Sequence, residues 1–141
     1  MIKLWKCPKC GRKFEKENQM HSCTIYPVEK HFKGKEGMKP LYNKLKEKIK
    51  KNIGSFWVES LPCCIHFVTA PAYTFAAVYA LRDRIRIHFG LDYKLDDSRI
   101  DKFSQYSTNR YMYSIDIKNE KEIDAELVSW LKQAYNLKRE V

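Results

Sequence analysis

Apolar residues recur every four positions in LYNKLKEKIKKNIG. Leu41, Leu45, Ile49 and Ile53 form a stripe with Tyr42 beside it, while Lys44, Lys48 and Lys51 fall on another face. That spacing predicts a helix, with Pro40 suited to its first turn and Gly54 to its end. The period then changes to two. Residues 84–91 place Ile85, Ile87, Phe89 and Leu91 on one side and Arg84, Arg86 and His88 on the other, the alternation of a half-buried strand. Further strands are expected at 55–59, 63–69 after Pro62, 74–81 after Pro71, and 111–118, with Arg82-Asp83 as a tight connection. LDDSRI predicts a turn entering a short helix. Asn119 with Glu122 resembles a capping box ahead of a final helix lined by Ile123, Leu127, Trp130, Leu131 and Ala134. Together these predict an α+β fold: a mostly antiparallel sheet with two helices packed on one face, preceded by a small zinc-ribbon head. The expected division is a head at 1–27, a linker with one helical turn at 28–40, and the α+β domain at 41–141. The linker assignment rests on KGKEGMKP, whose glycines, proline and mixed charge fit a mobile connection.

Residues 60–81 carry no formal charge, a length able to span a bilayer. Pro62, His66, Thr69, Pro71 and Thr74 interrupt the run, and two buried strands joined by a proline turn explain it better. No membrane partner is expected. Within that run Cys63 and Cys64 are adjacent. They could be redox-active, but as adjacent strand residues they point to opposite faces and cannot readily bridge, so buried, inert thiols are the better reading. His66 fits a core-edge histidine with a hydrogen-bonded partner.

CPKCGRKFEKENQMHSC, at 7–23, introduces metal chemistry. Cys7 and Cys10 form one close pair, His21 and Cys23 a second, and two such pairs suit tetrahedral zinc. The alternatives are a reduced loop without metal, or a disulfide. His31 is the nearest spare ligand, too far on for a two-Cys two-His finger. Five cysteines, an odd number, with no signal peptide ahead of them, point to a reducing cytosol and a cytoplasmic protein.

The net charge of +10 is unevenly placed. Residues 1–54 hold 15 Lys/Arg against 5 Asp/Glu, whereas residues 55–141 hold 12 of each. Arg12 is the only arginine in the basic part. Lysines suit phosphates contacted without sequence detail, and Lys9, Arg12, Lys13, Lys44, Lys48 and Lys51 are the candidate nucleic-acid contacts. The plainer alternative is a solubilising face. Arg84, Arg86 and His88, with Arg82, are a candidate anion site, unless Asp83, Asp92 and Asp116 neutralise them. Asp92, Asp96, Asp97 and Asp101, with Asp116-Ile117-Lys118, could support metal-dependent nuclease chemistry, although Asp96-Asp97 equally suits a helix start.

CPKC…F…NQMHSC, LDDSRI, STNRY and IDAELVSWLKQAYNL resemble the family called domain of unknown function 5655. The resemblance covers most of the chain and implies the fold arrangement and zinc head more than any activity. Some relatives look similar to domains fused to DNA-restriction modules, which implies a link to nucleic acid. Ser98 departs from a proline often found after LDD in the family, which affects only the local turn. The leading expectation is a zinc-containing module that binds nucleic acid or a ribonucleoprotein through its lysine-rich head and first helix. The alternatives are an enzyme or small-anion-binding domain using the sheet face, and an adaptor whose basic head meets an acidic protein.

Overall fold

The computed structural model describes residues 4–14, 16–18, 26–69, 73–95, 97, 99–107 and 110–139. A two-stranded ribbon, β1 (Trp5–Lys6) and β2 (Lys13–Phe14), comes first. After it come α1 (Val28–His31), a 3-10 turn (Glu36–Met38) and α2 (Lys39–Asn52). The main sheet contains β3 (Trp57–Ser60), β4 (Ile65–Thr69), β5 (Tyr73–Ala80), β6 (Ile85–Leu91), β7 (Ile100–Ser107) and β8 (Arg110–Ile117). A second 3-10 turn (Glu120–Glu122) leads into α3 (Ala125–Arg139). The sheet is antiparallel throughout, in the order β3-β4-β5-β6-β8-β7.

The expected α+β architecture is therefore present, with a small N-terminal sheet beside it. One face of the large sheet is the core face. Ile85, Ile87, Phe89 and Leu91 of β6 and Tyr113, Ile115 and Ile117 of β8 all point into it. Leu41, Tyr42, Leu45 and Ile49 of α2 cover this face together with Leu127, Trp130, Leu131 and Ala134 of α3. Burying such side chains is the main favourable contribution to folding, about 1.5–3 kcal/mol for each large one. The uncharged run at 60–81 becomes the β3–β4 turn, β4 and β5. No helix among the described residues is long and apolar enough to cross a membrane.

Four local details differ from expectation. LDDSRI makes its turn but does not enter a helix. Asp97 accepts from the Arg99 N–H through its side chain (2.8 Å) and from the Ile100 N–H through its carbonyl (3.1 Å). The chain then runs straight into β7, an edge strand whose polar IDKFSQYS carries little alternation to announce it. The start of α3 is not capped by Asn119 and Glu122. Asp124 caps it, its Oδ1 accepting from the Leu127 N–H at 3.0 Å, while Glu122 takes the Lys118 N–H. Cys63 and Cys64 lie in the β3–β4 turn, closed by Leu61 N–H donating to Cys64 O (2.9 Å), and β4 begins only at Ile65. Finally, the segment expected to be a mobile connection is packed on the domain. Phe32 is 3% exposed and meets the Tyr42 ring at 5.2 Å, and Lys35 Nζ donates to Ala80 O at 2.8 Å.

The final helix is locked at both ends. Near its start, Arg99 bridges Asp124 (2.9 Å) and Glu122 O (2.7 Å) and lies over the Trp130 ring. Toward its end, the Tyr135 hydroxyl donates to Ser55 O at 2.8 Å. Gly54, at φ +154°, passes so close that a Cβ there would sit 2.9 Å from that hydroxyl. Trp130 itself is 6% exposed and stacked on Phe89 at 6.3 Å. Trp130→Ala is expected to cost about 3–5 kcal/mol, read as a large drop in the urea midpoint. An unfolding curve that barely moves would mean the ring is not a core element.

Candidate functional site

The head is built on a tight turn. Cys7 N–H donates to Arg12 O and Gly11 N–H donates to Cys7 O, both at 2.8 Å, with Gly11 at φ +76° where glycine is favoured. Cys7 is buried and Cys10 half-buried, and neither is in a disulfide. His21 and Cys23 lie outside the described residues. Among the described residues no three of His, Cys, Asp and Glu come together as a metal-holding group. The head docks on β3. Arg12 pairs with Glu59 at 3.2 Å and covers the Phe14 ring, and Lys13 lies over Trp57 at 4.8 Å. Arg12 is thus an anchor, while Lys9 is exposed.

The lysines of α2 divide by face. Lys44, Lys48 and Lys51 lie toward the side that α3 and its preceding turn occupy. Lys44 pairs with Glu120 (3.4 Å) and Glu47 (3.9 Å), and Lys48 Nζ donates to Ile123 O at 2.9 Å. Lys51 is exposed. Lys39, Lys46 and Lys50 are separated by seven and four residues, which at 3.6 residues per turn puts them on one stripe. Each lies over an aromatic ring: Lys39 over Phe32 (5.5 Å), Lys46 over Tyr42 (5.0 Å) and Lys50 over Phe56 (5.6 Å). Burial lowers the Lys46 pKa, and Lys50 and Lys39 lower it further, with Glu29 opposing. The positive charges therefore crowd one another. At its N-terminal end the stripe opens into a groove of about 620 Å³, floored by Phe32 and Pro40 and bordered by Lys30, Lys33 and Lys39. Glu29 and Glu36 also line it, and Glu29 reaches Lys39 at 3.6 Å. Spacing alone does not single out this stripe, because it does not say which face a partner element covers.

The open face of the sheet carries Arg84, Arg86 and His88, as the alternation predicts. The arginines are already neutralised. Arg86 grips Asp116 with two hydrogen bonds (2.8 and 3.1 Å), and Arg84 contacts Asp116 (3.3 Å) and Asp83 (3.1 Å). Arg86 foremost, then Arg84, holds the Asp116 carboxyl below its ordinary pKa against the opposing effect of burial. The Asp116 carboxylate of Asp116-Ile117-Lys118 is thus held by two guanidiniums. Of its suggested acidic partners, Asp97 shapes the turn before β7. Asp96 lies outside the described residues.

His88 belongs to a different arrangement. Strand register aligns Glu59, His66, Ala77, His88 and Ser114 in one row across five strands. The small Ala77 between the histidines leaves a cavity of about 220 Å³, also lined by Thr74, Gly90 and Met112. His66 Nδ1 is 3.5 Å from Thr74 Oγ1, and the His88 ring meets Tyr79 at 4.6 Å. Burial pushes the His66 pKa down, with Glu59 opposing and Arg12 assisting, so the imidazole is neutral at pH 7. Ser114 Oγ is buried and has no hydrogen-bond partner among the described residues.

Residues 28–138 match the profile of a domain of unknown function, DUF5655. The chain belongs to that family. The DUF5655 match begins at Val28, so it includes α1 and the Phe32 plug, and it leaves β1 and β2 outside. Searches of the curated proteins and of the solved structures returned no match.

The Asp116 cluster generates a pH prediction for this DUF5655 domain. At pH 7, Asp116→Asn is expected to cost about 1.5–3 kcal/mol, the range for hydrogen bonds to charged groups. The folded pKa lies below the unfolded one, so the stabilisation is complete above about pH 4. It is lost as pH falls through the lowered folded value. Urea midpoints of the two proteins should therefore converge as the pH is taken below about 4. A gap that stays constant down the acid range would show that the pairing contributes nothing.

Proposed function

We propose that this DUF5655 protein binds nucleic acid, free or within a ribonucleoprotein, through the lysine stripe on the outer face of α2 and the groove beside it. The observation that carries this reading is the alignment of Lys39, Lys46 and Lys50 over aromatic rings, continuous with Lys30 and Lys33. Residues 28–54 hold nine lysines against three glutamates. The rings hold the three ammonium groups in a row along α2, an arrangement suited to phosphates spaced along a chain. The arginines of the sheet face add little, since acids already neutralise them. That also weakens the small-anion reading of Arg84, Arg86 and His88.

Zinc belongs to the same proposal, as a clasp for the head. Two soft sulfur donors on one tight turn fit half of a tetrahedral site, and His21 and Cys23 would supply the rest. Bound zinc would tie the two ends of the head together and hold Lys9 near the sheet edge. Elemental analysis is expected to find about one zinc per chain. A chelator should melt the β1–β2 head and leave the DUF5655 domain folded. An ordered head in metal-free protein would refute the assignment.

A second reading rests on the His66–His88 cavity, whose two imidazoles and Thr74 hydroxyl suit a small polar ligand. Ala77→Leu would fill it without touching the lysines, and should leave nucleic-acid binding unchanged.

The main test compares two triple variants by fluorescence anisotropy with single-stranded and duplex probes at two salt concentrations. Lys39, Lys46 and Lys50 changed together to Gln should weaken binding to all sequences alike. The log-log salt slope should fall by about 0.7–0.9 per lost phosphate contact. The same change at Lys44, Lys48 and Lys51 should cost less affinity, because two of those three serve internal contacts. Undiminished binding by the first variant would overturn the proposed surface. If neither naked probe binds at low salt, a pull-down before and after nuclease treatment decides whether a ribonucleoprotein is the target.

A further inference from the structure

Cys63 and Cys64 sit side by side in the β3–β4 turn with their sulfurs 3.4 Å apart. Adjacent cysteines in a strand would point apart. Here the turn, closed by the Leu61 to Cys64 hydrogen bond, brings both thiols to one side. Cys63 is exposed and Cys64 is 2% exposed, facing the Tyr79 hydroxyl. One sulfur is therefore reachable from solvent and the other waits directly beneath it.

Two kinds of bridge can be weighed by distance. A disulfide needs the sulfurs about 2.05 Å apart and Cα atoms usually about 4.4–6.8 Å apart. Adjacent residues across a trans peptide hold their Cα atoms at about 3.8 Å, so that closure strains the turn. A third atom inserted between the sulfurs asks for far less movement. Sulfurs 3.4 Å apart and each about 2.3 Å from a common atom subtend about 95° there. That angle is narrow for tetrahedral zinc and suits a pyramidal, three-coordinate soft centre.

We infer that Cys63 and Cys64 form a chelating dithiol site for a soft trivalent centre of the arsenic(III) class. Cys63 captures first and Cys64 closes the ring. With an organoarsenic oxide, two As–S bonds form and the As=O bond is lost. The two thiol protons leave with that oxygen as one water, and arsenic stays trivalent, so no oxidant or reductant is required. Burial, then the contact with Cys63, pushes the Cys64 pKa up to about 11. Its proton is therefore released only as the second As–S bond forms.

The probe is phenylarsine oxide, added in excess to the reduced, folded full chain, followed by trypsin and mass spectrometry. Residues 52–82 form one tryptic peptide, which contains Cys63 and Cys64 and none of the head cysteines. One phenylarsenic group is expected on this peptide, retained in excess monothiol and released by a dithiol. Cys63→Ser should abolish the retained adduct, and Cys64→Ala should leave one that monothiol strips away. An unmodified peptide from the wild-type chain would overturn the inference. So would a wild-type adduct that monothiol removes, or a monothiol-resistant adduct in the Cys64 variant.

Discussion

Ring packs against ring from α1 to the last turns of α3, and the rest of the molecule is hung on that row. Phe32 meets Tyr42 at 5.2 Å, Tyr42 meets Phe67 at 6.1 Å, and Phe67 meets both Phe56 (4.9 Å) and Phe75 (6.3 Å). Phe75 in turn meets Tyr135 at 5.1 Å. Each such pair contributes about 0.5–1.5 kcal/mol beyond the area it buries. The row ties the N-terminal segment, α2, the sheet and α3 into one core. Three of its buried rings, Phe32, Tyr42 and Phe56, lie beneath Lys39, Lys46 and Lys50. The hydrophobic constraint and the charged surface are thus two sides of the same side chains.

The two faces of the sheet resolve their electrostatics differently. On the helix-covered face there is almost nothing polar to satisfy. On the open face, Asp116 sits between two guanidiniums and Glu59 takes Arg12, so the charges close on one another inside the domain. Beside them lie two imidazoles, around the gap above Ala77. Surplus positive charge survives only on α2 and the N-terminal segments. This separation explains how a chain with a balanced C-terminal half can still be strongly basic.

Much of the fold is legible from period alone, because α2, α3, β6 and β8 each turn a run of apolar side chains to one face. Legibility fails where that asymmetry fails. Strand β7 lies at an edge, and IDKFSQYS lacks the run of alternating apolar residues that betrays β6. Phe32 stands alone among lysines and glycines, and no periodicity marks a single plug. The helix cap is Asp124 rather than Asn119 because the 3-10 turn at Glu120–Glu122 delays the start of α3. For the candidate site, the charge asymmetry is visible in composition, whereas the useful stripe is not. Lys44, Lys48 and Lys51 share a face just as well by spacing. Only the positions of Glu120 and the Ile123 carbonyl show that two of them face inward. Likewise, Cys63 and Cys64 look inert until the turn that holds them is known.

The strand order has a consequence for how the chain is made. β8 lies between β6 and β7, so β7 leaves the ribosome before its partner strand β8 exists. Until β8 arrives, β6 has a bare edge. Until α3 follows, the apolar side of Ile85, Ile87 and Phe89 has no lid. Domains emerge N-terminal end first at about 5–20 residues per second. The nascent sheet therefore spends seconds with an open edge and an uncovered face, the two features that invite association with other chains. The uncharged stretch through β4 and β5 is already out during that interval. Shielding of that face during synthesis, or a delay in collapse until the final helix is free, is what this topology asks of the cell that makes it.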